Sequence, residues 1–283
     1  MRFLKSFGAA VGYLAIYAIV IIIVTVADMS FNSLTSPAEA SQTAEALSGS
    51  VAEGAEINYE LYMIIVDVVC LVAYGFIIKA RKKSIRERLD LKPFSIKKAA
   101  MLLMLGILLN ILITYALSLL PIPEGTMSEY GESVSSLDTQ SYIGVINAII
   151  MAPIFEEVMT RGLIMKSLMG GMPVALALIM QALLFGLLHG QIVWVVYAAG
   201  TGFLLGLVRL RCGSLFACIL LHFSLNASNY ILDPLFIWVG DNALMIYGVL
   251  GISLVAAFLL IRGVLKKEPG VAMEPLDDMV EPV

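Results

Sequence analysis

Charged side chains are scarce in this 283-residue sequence. Only 14% of its residues are Asp, Glu, Lys or Arg, and 60% are hydrophobic, whereas a typical soluble domain carries about 25% charged residues. A chain this apolar cannot hide its hydrophobic surface inside one water-soluble core. The composition therefore excludes a cytosolic enzyme, and it excludes a protein with nucleic acid as its partner on a basic face. It leaves a polytopic membrane protein whose surroundings are the lipid bilayer.

Cysteine and histidine are also rare, with three and two residues respectively. An odd number of cysteines without a CxxC pair excludes a disulfide framework. The sequence contains neither the HExxH motif of zinc proteases nor the GxSxG elbow of serine hydrolases. Asp67 and Asp241 do not suit an aspartyl dyad, because Asp241 falls in a predicted outer loop.

Eight continuous apolar segments are long enough to cross a bilayer as helices, which takes about 20 residues each. They cover 8–27, 61–79, 99–120, 141–168, 172–190, 192–208, 213–232 and 243–263. Runs that are continuous rather than alternating argue against a membrane β-barrel. We therefore expect an all-α polytopic membrane helix bundle with about eight transmembrane helices.

The distribution of Lys and Arg predicts the orientation of these helices. Nine of the 18 basic residues lie between Lys79 and Lys98, whereas the segments 28–60 and 121–140 contain none. By the positive-inside rule, both termini and the basic loop are cytoplasmic, and the two acidic segments face outward. The first apolar run is longer than the 7–15 residues of a signal peptide, so we expect a retained helix. A multi-pass protein of the plasma membrane fits this pattern.

Six ionisable residues lie inside the predicted spans, where such groups are costly and usually face a protein interior or cavity. They are Asp67, Glu156, Glu157, Arg161, His189 and His222. Glu157 and Arg161 are four residues apart on one helical face and can form an ion pair. Glu156 points about 100° away from Glu157 around the helix. An alternative is that both glutamates serve one structural salt bridge with Arg161.

Both histidines lie near other polar groups. Gln181, Phe185 and His189 are spaced four residues apart, so they share a stripe of the predicted fifth helix. His222 and Asn226 lie one turn apart and can aim two donors at a developing oxyanion. They can equally serve hydrogen bonds between helices. A buried glutamate beside an imidazole can act as a general acid and base, which favours a hydrolase.

These residues form three motifs in order, EExxxR, FxxxH and HxxxN, over about 140–230. In this order and spacing they resemble the CPBP family, which contains the CAAX prenyl endopeptidases and the Abi proteins linked to bacteriocin processing and self-immunity. The resemblance implies four catalytic residues, of which the first two supply the base and the last two bind the oxyanion: Glu156, His189, His222 and Asn226. It implies three supporting residues: Glu157, Arg161 and Phe185.

The predicted helices, the three motifs and the acidic C-terminal segment together divide the chain into three parts. We expect three N-terminal helices with outer loops and the basic loop in 1–135. A CPBP-like catalytic bundle follows in 136–267, and an acidic disordered tail occupies 268–283, all within one integrated membrane domain. The family was long described as metalloproteases. We expect no required cofactor, with Zn²⁺ held by Glu156, His189 and His222 as the alternative.

The expected function is an intramembrane endopeptidase in which a glutamate activates water to hydrolyse a peptide bond. Its partner would be a membrane-associated, lipidated or secreted peptide or protein, and the compact length and acidic outer loops suggest a bacterial protein. Two other classes of protein remain open. One is a non-catalytic scaffold or immunity protein of the same fold, and the other is a proton-coupled transporter, since buried acids and histidines also form proton relays.

Overall fold

The computed structural model describes residues 1–35, 59–135 and 141–266. Within these ranges the chain forms helices and turns, and no strand occurs among them. Each of the eight predicted apolar segments is helical, which confirms the predicted all-α fold. The predicted outer segment 28–60 is described only at its two ends. The predicted disordered tail, 268–283, lies outside the described residues.

Eleven helices are numbered here in chain order along the described residues. They are α1 (Arg2–Thr35), α2 (Tyr59–Ala80), α3 (Ile85–Arg88), α4 (Ile96–Leu119), α5 (Glu124–Ser135), α6 (Tyr142–Met169), α7 (Val174–Leu187), α8 (Ile192–Cys212), α9 (Leu215–Ile231), α10 (Asp233–Val239) and α11 (Ala243–Val264).

The protein is a multi-pass membrane protein. Among the described residues, six helices are long and apolar enough to cross a bilayer, namely α1, α2, α4, α6, α8 and α11. Helices α9 and α10 pass the same test only as a pair bent by 55°. Helix α7 has 14 residues, which at about 1.5 Å per residue is shorter than a hydrocarbon core of about 30 Å. The predicted span 172–190 is therefore a shorter helix than expected.

Helix α5 was not predicted from the sequence, which indicated only an outer segment over 121–140. Its sequence contains two glycines and several serines, which are poor helix formers. Contacts with α8 hold it in place. The Tyr130 ring lies 6.3 Å from the rings of both Trp194 and Tyr197, and the Gln191 side chain donates a hydrogen bond of 3.2 Å to the Thr126 carbonyl.

Two main hydrophobic clusters form the core of the bundle. One joins α1, α2, α6 and α7 with one buried residue each of α8 and α9, and it includes Tyr13, Tyr74 and Phe155. The other joins α4, α8, α9 and α11, and it includes Leu105 and Leu221. Side chains from 1–135 and from 141–266 thus share both cores. Polar residues on α6 are buried by helices on either side.

Glycines permit a close approach of α7 and α8. A Cβ atom at Gly186 would lie 2.6 Å from the Val195 carbonyl oxygen, and one at Gly202 would lie 2.9 Å from the Phe185 ring. Gly190, four residues after Gly186, has open space around it and a φ of +74°. It follows the end of α7 and belongs to the turn.

The basic loop between α2 and α4 is anchored to the bundle by a buried aspartate that sequence reasoning missed. Asp90, which is 8% exposed, pairs through Oδ2 with Lys166 Nζ at 2.6 Å and with Arg209 Nη2. Its carbonyl accepts a hydrogen bond from the Leu215 amide. Burial alone would raise the pKa of Asp90, but the charges of Arg209 and Lys166 outweigh it and hold the pKa below its ordinary value.

We expect Lys166→Met to destabilise the protein by about 3 kcal/mol, because it breaks a buried ion pair. Lys92→Met is the matched control. Its ammonium lies 3.7 Å from the other Asp90 oxygen and its side chain is 52% exposed, so we expect a loss below about 1 kcal/mol. Unfolding of the detergent-solubilised protein measures both. Equal losses in the two variants would contradict the anchoring role of Asp90.

The lowered pKa of Asp90 also predicts how the stability contributed by this carboxylate depends on pH. A carboxyl whose pKa is depressed on folding contributes its full stability above its unfolded pKa, and the contribution fades as the pH falls towards the folded value. The wild type should therefore lose its advantage over an Asp90→Asn variant when the pH falls below about 4.

Candidate active site

One buried carboxylate, Glu157, lies at the centre of the polar residues of the bundle. Its Oε1 accepts a hydrogen bond of 2.8 Å from Arg161 Nη1 and another of 2.9 Å from His222 Nδ1. Glu157 and Arg161 are both fully buried, and His222 is 6% exposed. The predicted ion pair of Glu157 and Arg161 is thus confirmed, and a histidine on α9 completes it.

The Arg161 guanidinium connects this pair to α7 and α8. Its Nη2 donates 2.9 Å to the Gly202 carbonyl, and its centre lies 4.3 Å from the centroid of the Phe185 ring. The Gln181 amide donates 3.0 Å to the same carbonyl. Arg161 also donates 2.8 Å to the Thr160 hydroxyl. A charge that would be costly in lipid is therefore surrounded by acceptors and an aromatic face.

Two π-helical stretches, Asn147–Met151 and Val158–Ile164, flank the glutamates on α6. In the first, the Ala152 amide donates to the Asn147 carbonyl, five residues back. The corresponding donor for Ala148 would be residue 153, which is a proline without an N–H. The Asn226 side chain instead donates a hydrogen bond of 2.8 Å to the Ala148 carbonyl. Such π-helical turns occur frequently at functional sites.

Glu156 lies beside His222. Its Oε2 is 3.8 Å from His222 Nε2, and its side chain is 27% exposed, whereas that of Glu157 is fully buried. The Thr160 hydroxyl donates 2.5 Å to the Glu156 carbonyl and fixes this turn. Oε2 of Glu156 and Oε2 of Glu157 are both buried without a hydrogen-bond partner among the described residues. The two glutamates differ because Oε1 of Glu157 is bonded to Arg161 and His222, whereas the Glu156 side chain accepts no hydrogen bond from the described part of the chain.

His189 lies apart from Glu156. The sequence predicted that Gln181, Phe185 and His189 lie on one face of a single helix. Helix α7 ends at Leu187, two residues before His189, so His189 belongs to the following turn. Its Nδ1 lies 2.8 Å from the Phe185 carbonyl, and its ring is 5.6 Å from that of Trp194. No hydrogen bond or ion pair joins His189 to Glu156 in the described part of the chain. The structure brings His222 to that glutamate instead.

Phe185 nevertheless joins the two histidines. Its ring centroid lies 5.0 Å from that of His189 and 5.8 Å from that of His222, in edge-to-face arrangements. The seven residues singled out from the three motifs therefore lie around one region between α6, α7 and α9. Sequence reasoning missed Trp194 beside His189 and the Gly202 carbonyl beside Arg161. A glycine whose carbonyl faces a buried cation gives no signal in the sequence.

The residues considered for a metal ion do not fit one. An open zinc site takes three protein ligands around the metal. Among the described residues, no group of three or more His, Cys, Asp or Glu side chains is placed to hold a metal ion. His222 Nδ1 is bonded to Glu157, and His189 Nδ1 is bonded to the Phe185 carbonyl. No metal-dependent step is therefore derived from Glu156, His189 and His222.

Comparison with family models gives one match, over residues 138–228, to the model described as "Type II CAAX prenyl endopeptidase Rce1-like". Residues 138–228 are thus similar to an Rce1-like endopeptidase domain. The match covers about a third of the chain and includes all three motifs. It confirms the resemblance to CAAX endopeptidases and supports an intramembrane protease. The comparisons with curated proteins and with solved structures found no match.

Gly202→Ala should disturb the packing of Phe185 and Arg161 directly. Its Cβ would lie 2.9 Å from the Phe185 ring and 3.1 Å from Arg161 Nη2. We expect a loss of about 1–3 kcal/mol of stability from overpacking, together with reduced activity. Gly200→Ala, on the same helix with nothing within 4 Å of its Cβ, is the control and should keep both. Equal unfolding free energies for the two variants would contradict the close packing of Gly202.

Proposed function

We propose that this protein is an intramembrane endopeptidase in which Glu156 activates a water molecule for attack on a peptide carbonyl. The observation that carries the proposal is the contrast between the two adjacent glutamates. Glu157 Oε1 is bonded to both Arg161 and His222, whereas Glu156 is partly exposed and its Oε2 lies 3.8 Å from His222 Nε2. A free carboxylate beside an oriented imidazole suits general-base catalysis.

The hydrogen bond to Glu157 determines which ring nitrogen of His222 carries a proton. An ionised carboxylate only accepts hydrogen bonds, so His222 Nδ1 carries a proton that it donates to Glu157. A second proton on Nε2 makes His222 a cation, which the buried carboxylate stabilises. Nε2–H then points towards the Glu156 side, where it can donate to the oxyanion of a tetrahedral intermediate.

The reaction then balances without another reagent. Water attacks the peptide carbonyl carbon while its proton passes to Glu156, and His222 stabilises the oxygen that becomes negative. When the intermediate collapses, the carbon–nitrogen bond breaks and Glu156 returns the proton to the leaving amine. The products are a new carboxylate and a free amine. Each step uses a group within the site formed by α6 and α9.

We assign secondary roles to Asn226 and His189. One N–H of the Asn226 amide is bonded to the Ala148 carbonyl, and its second N–H remains to assist the oxyanion. The Phe185 carbonyl can only accept, so His189 Nδ1 carries the proton and Nε2 is an acceptor. His189 is half-buried and can bind the amide N–H of a substrate that approaches Glu156 from the α8 side.

An apolar pocket lies between α6 and α9, the two helices that carry the glutamates and His222. It has a volume of about 420 Å³ and is lined by apolar side chains, among them Ile154 of α6 and Phe223 of α9. None of the seven motif residues lines it, so the pocket offers an apolar surface on the same two helices, to which a hydrophobic substrate segment can bind. We therefore propose a membrane-associated peptide, lipidated or secreted, cleaved in the plasma membrane of a bacterium by a protein with both termini in the cytoplasm.

We expect Glu156→Gln to abolish cleavage of fluorogenic lipidated or hydrophobic peptides by the purified protein. Loss of a general base costs about 10²–10⁴-fold in rate, and unfolding should change little because the Glu156 side chain is 27% exposed and Glu157 still holds His222. Glu129→Gln, an exposed acid on α5, is the control and should cleave like the wild type. A zinc chelator should leave the rate unchanged.

Three results would contradict the proposal. Cleavage by Glu156→Gln at the wild-type rate would exclude this carboxylate as the base. If neither protein cleaves and the Glu156→Gln variant keeps its biological effect in cells, the non-catalytic scaffold is correct. Proton-driven flux that depends on Glu156 without any cleavage would instead identify a transporter.

A further inference from the structure

A third polar residue on α9 continues the line of His222 and Asn226 but has no role in the mechanism above. Asn229 follows His222 by seven residues, which is about two helical turns, so the two side chains point in nearly the same direction. Exposure rises along this line: His222 is 6% exposed, Asn226 is half-buried and Asn229 is exposed. The line therefore leads from the buried site to the surface near the C-terminal end of α9.

The Asn229 carboxamide is held by hydrogen bonds that determine its orientation. Asn110 of α4, which is 5% exposed, donates 2.7 Å through Nδ2 to Asn229 Oδ1. The same Nδ2 lies 3.5 Å from the Leu225 carbonyl. Asn229 Nδ2 in turn donates 3.2 Å to the Asn226 carbonyl. Backbone carbonyls only accept hydrogen bonds, so these contacts place both amide nitrogens.

One N–H of Asn229 remains for a ligand. Its Oδ1 accepts from Asn110 and its first N–H donates to the Asn226 carbonyl, while no acceptor among the described residues takes the second. A polar contact that only joins two membrane helices is expected in the interior. Ser224 is of that kind, since it is buried and its hydroxyl donates 2.5 Å to the Leu103 carbonyl of α4. Asn229 instead presents an oriented donor at the surface.

The position of this donor suits a peptide in an extended conformation. The helix advances about 10 Å from His222 to Asn229, and an extended peptide covers that distance in about three residues. A substrate whose scissile carbonyl lies beside His222 would therefore present another backbone carbonyl near Asn229. Every peptide carries such carbonyls, so this contact fixes the register of the substrate and does not select its side chains.

We infer that Asn229 binds a backbone carbonyl of the substrate about three residues from the scissile bond, and that Asn110 is the positioning residue that orients it. The inference rests on the proposed peptidase function and deepens it. It assigns the substrate an extended conformation along α9, in a site that begins at the surface and ends at Glu156. The contact is the same before and during hydrolysis, so it lowers KM without raising kcat.

Peptide binding tests this subsite without any cleavage. The probe is a fluorescent apolar peptide of about ten residues, compared with two versions shortened by about three residues at one end or the other. The parent protein is the detergent-solubilised full-length chain with Glu156→Gln, which should leave the peptides intact. We expect Asn229→Ala in this parent to weaken binding of the long peptide about five- to tenfold, the effect of one hydrogen bond. One of the two shortened peptides should bind to both proteins equally.

Two further variants separate this role from packing between α4 and α9. Asn110→Leu should weaken binding of the long peptide by a smaller factor and leave binding of the same shortened peptide unchanged. Ser224→Ala removes another hydrogen bond between these helices and should bind all three peptides as the parent does. With Glu156 intact, Asn229→Ala should raise KM for the long peptide and keep kcat.

The inference is overturned if Asn229→Ala weakens binding of all three peptides alike, or of none. It is also overturned if Ser224→Ala selectively weakens binding of the long peptide, because the effect would then come from loosened helices. A parent that binds no peptide contradicts both the subsite and the proposed function. Selective loss of binding in Asn229→Ala, with no cleavage of any peptide by the wild type, would support the subsite and contradict the proposed function alone.

Discussion

The burial of one carboxylate, Glu157, between Arg161 and His222 organises this membrane protein. Glu157 accepts hydrogen bonds from Arg161 on its own helix and from His222 on α9. The charges of Glu157 and Arg161 would each be costly alone inside a bilayer. Paired, they neutralise one another, and a remaining donor of Arg161 reaches the Gly202 carbonyl of α8. Three helices are thereby fixed around the point where Glu156 is exposed.

The irregular backbone of α6 follows from the same constraint. Its π-helical turns lie on both sides of the two glutamates, and Pro153 leaves the Ala148 carbonyl without a helical donor. Asn226 supplies that donor from α9. An unpaired carbonyl would be expensive in lipid, so the motif asparagine stabilises the backbone that carries the glutamates. The HxxxN motif thus has a structural contact as well as its proposed chemical role.

Much of this architecture could be predicted from the sequence, because apolar runs and buried ionisable residues are strong signals in a membrane protein. The pair of Glu157 with Arg161 followed from helical spacing alone. The partner of Glu156 could not be predicted in that way, since the choice between His222 and His189 depends on where α7 ends. The buried ion pairs of Asp90 were missed because an aspartate in a basic loop is expected to be a surface residue. Helix α5 was missed because its stability comes from Tyr130 packing on α8.

The most direct test of this account is a double-mutant cycle on the central ion pair, measured as the unfolding free energy in detergent with Glu157→Gln and Arg161→Met. Each single variant leaves a buried charge unpaired and should lose about 3–5 kcal/mol. The double variant leaves no such charge at this pair and should lose clearly less than the sum, with a coupling of about 1–3 kcal/mol. Strictly additive losses would contradict the claim that this buried pair organises the site.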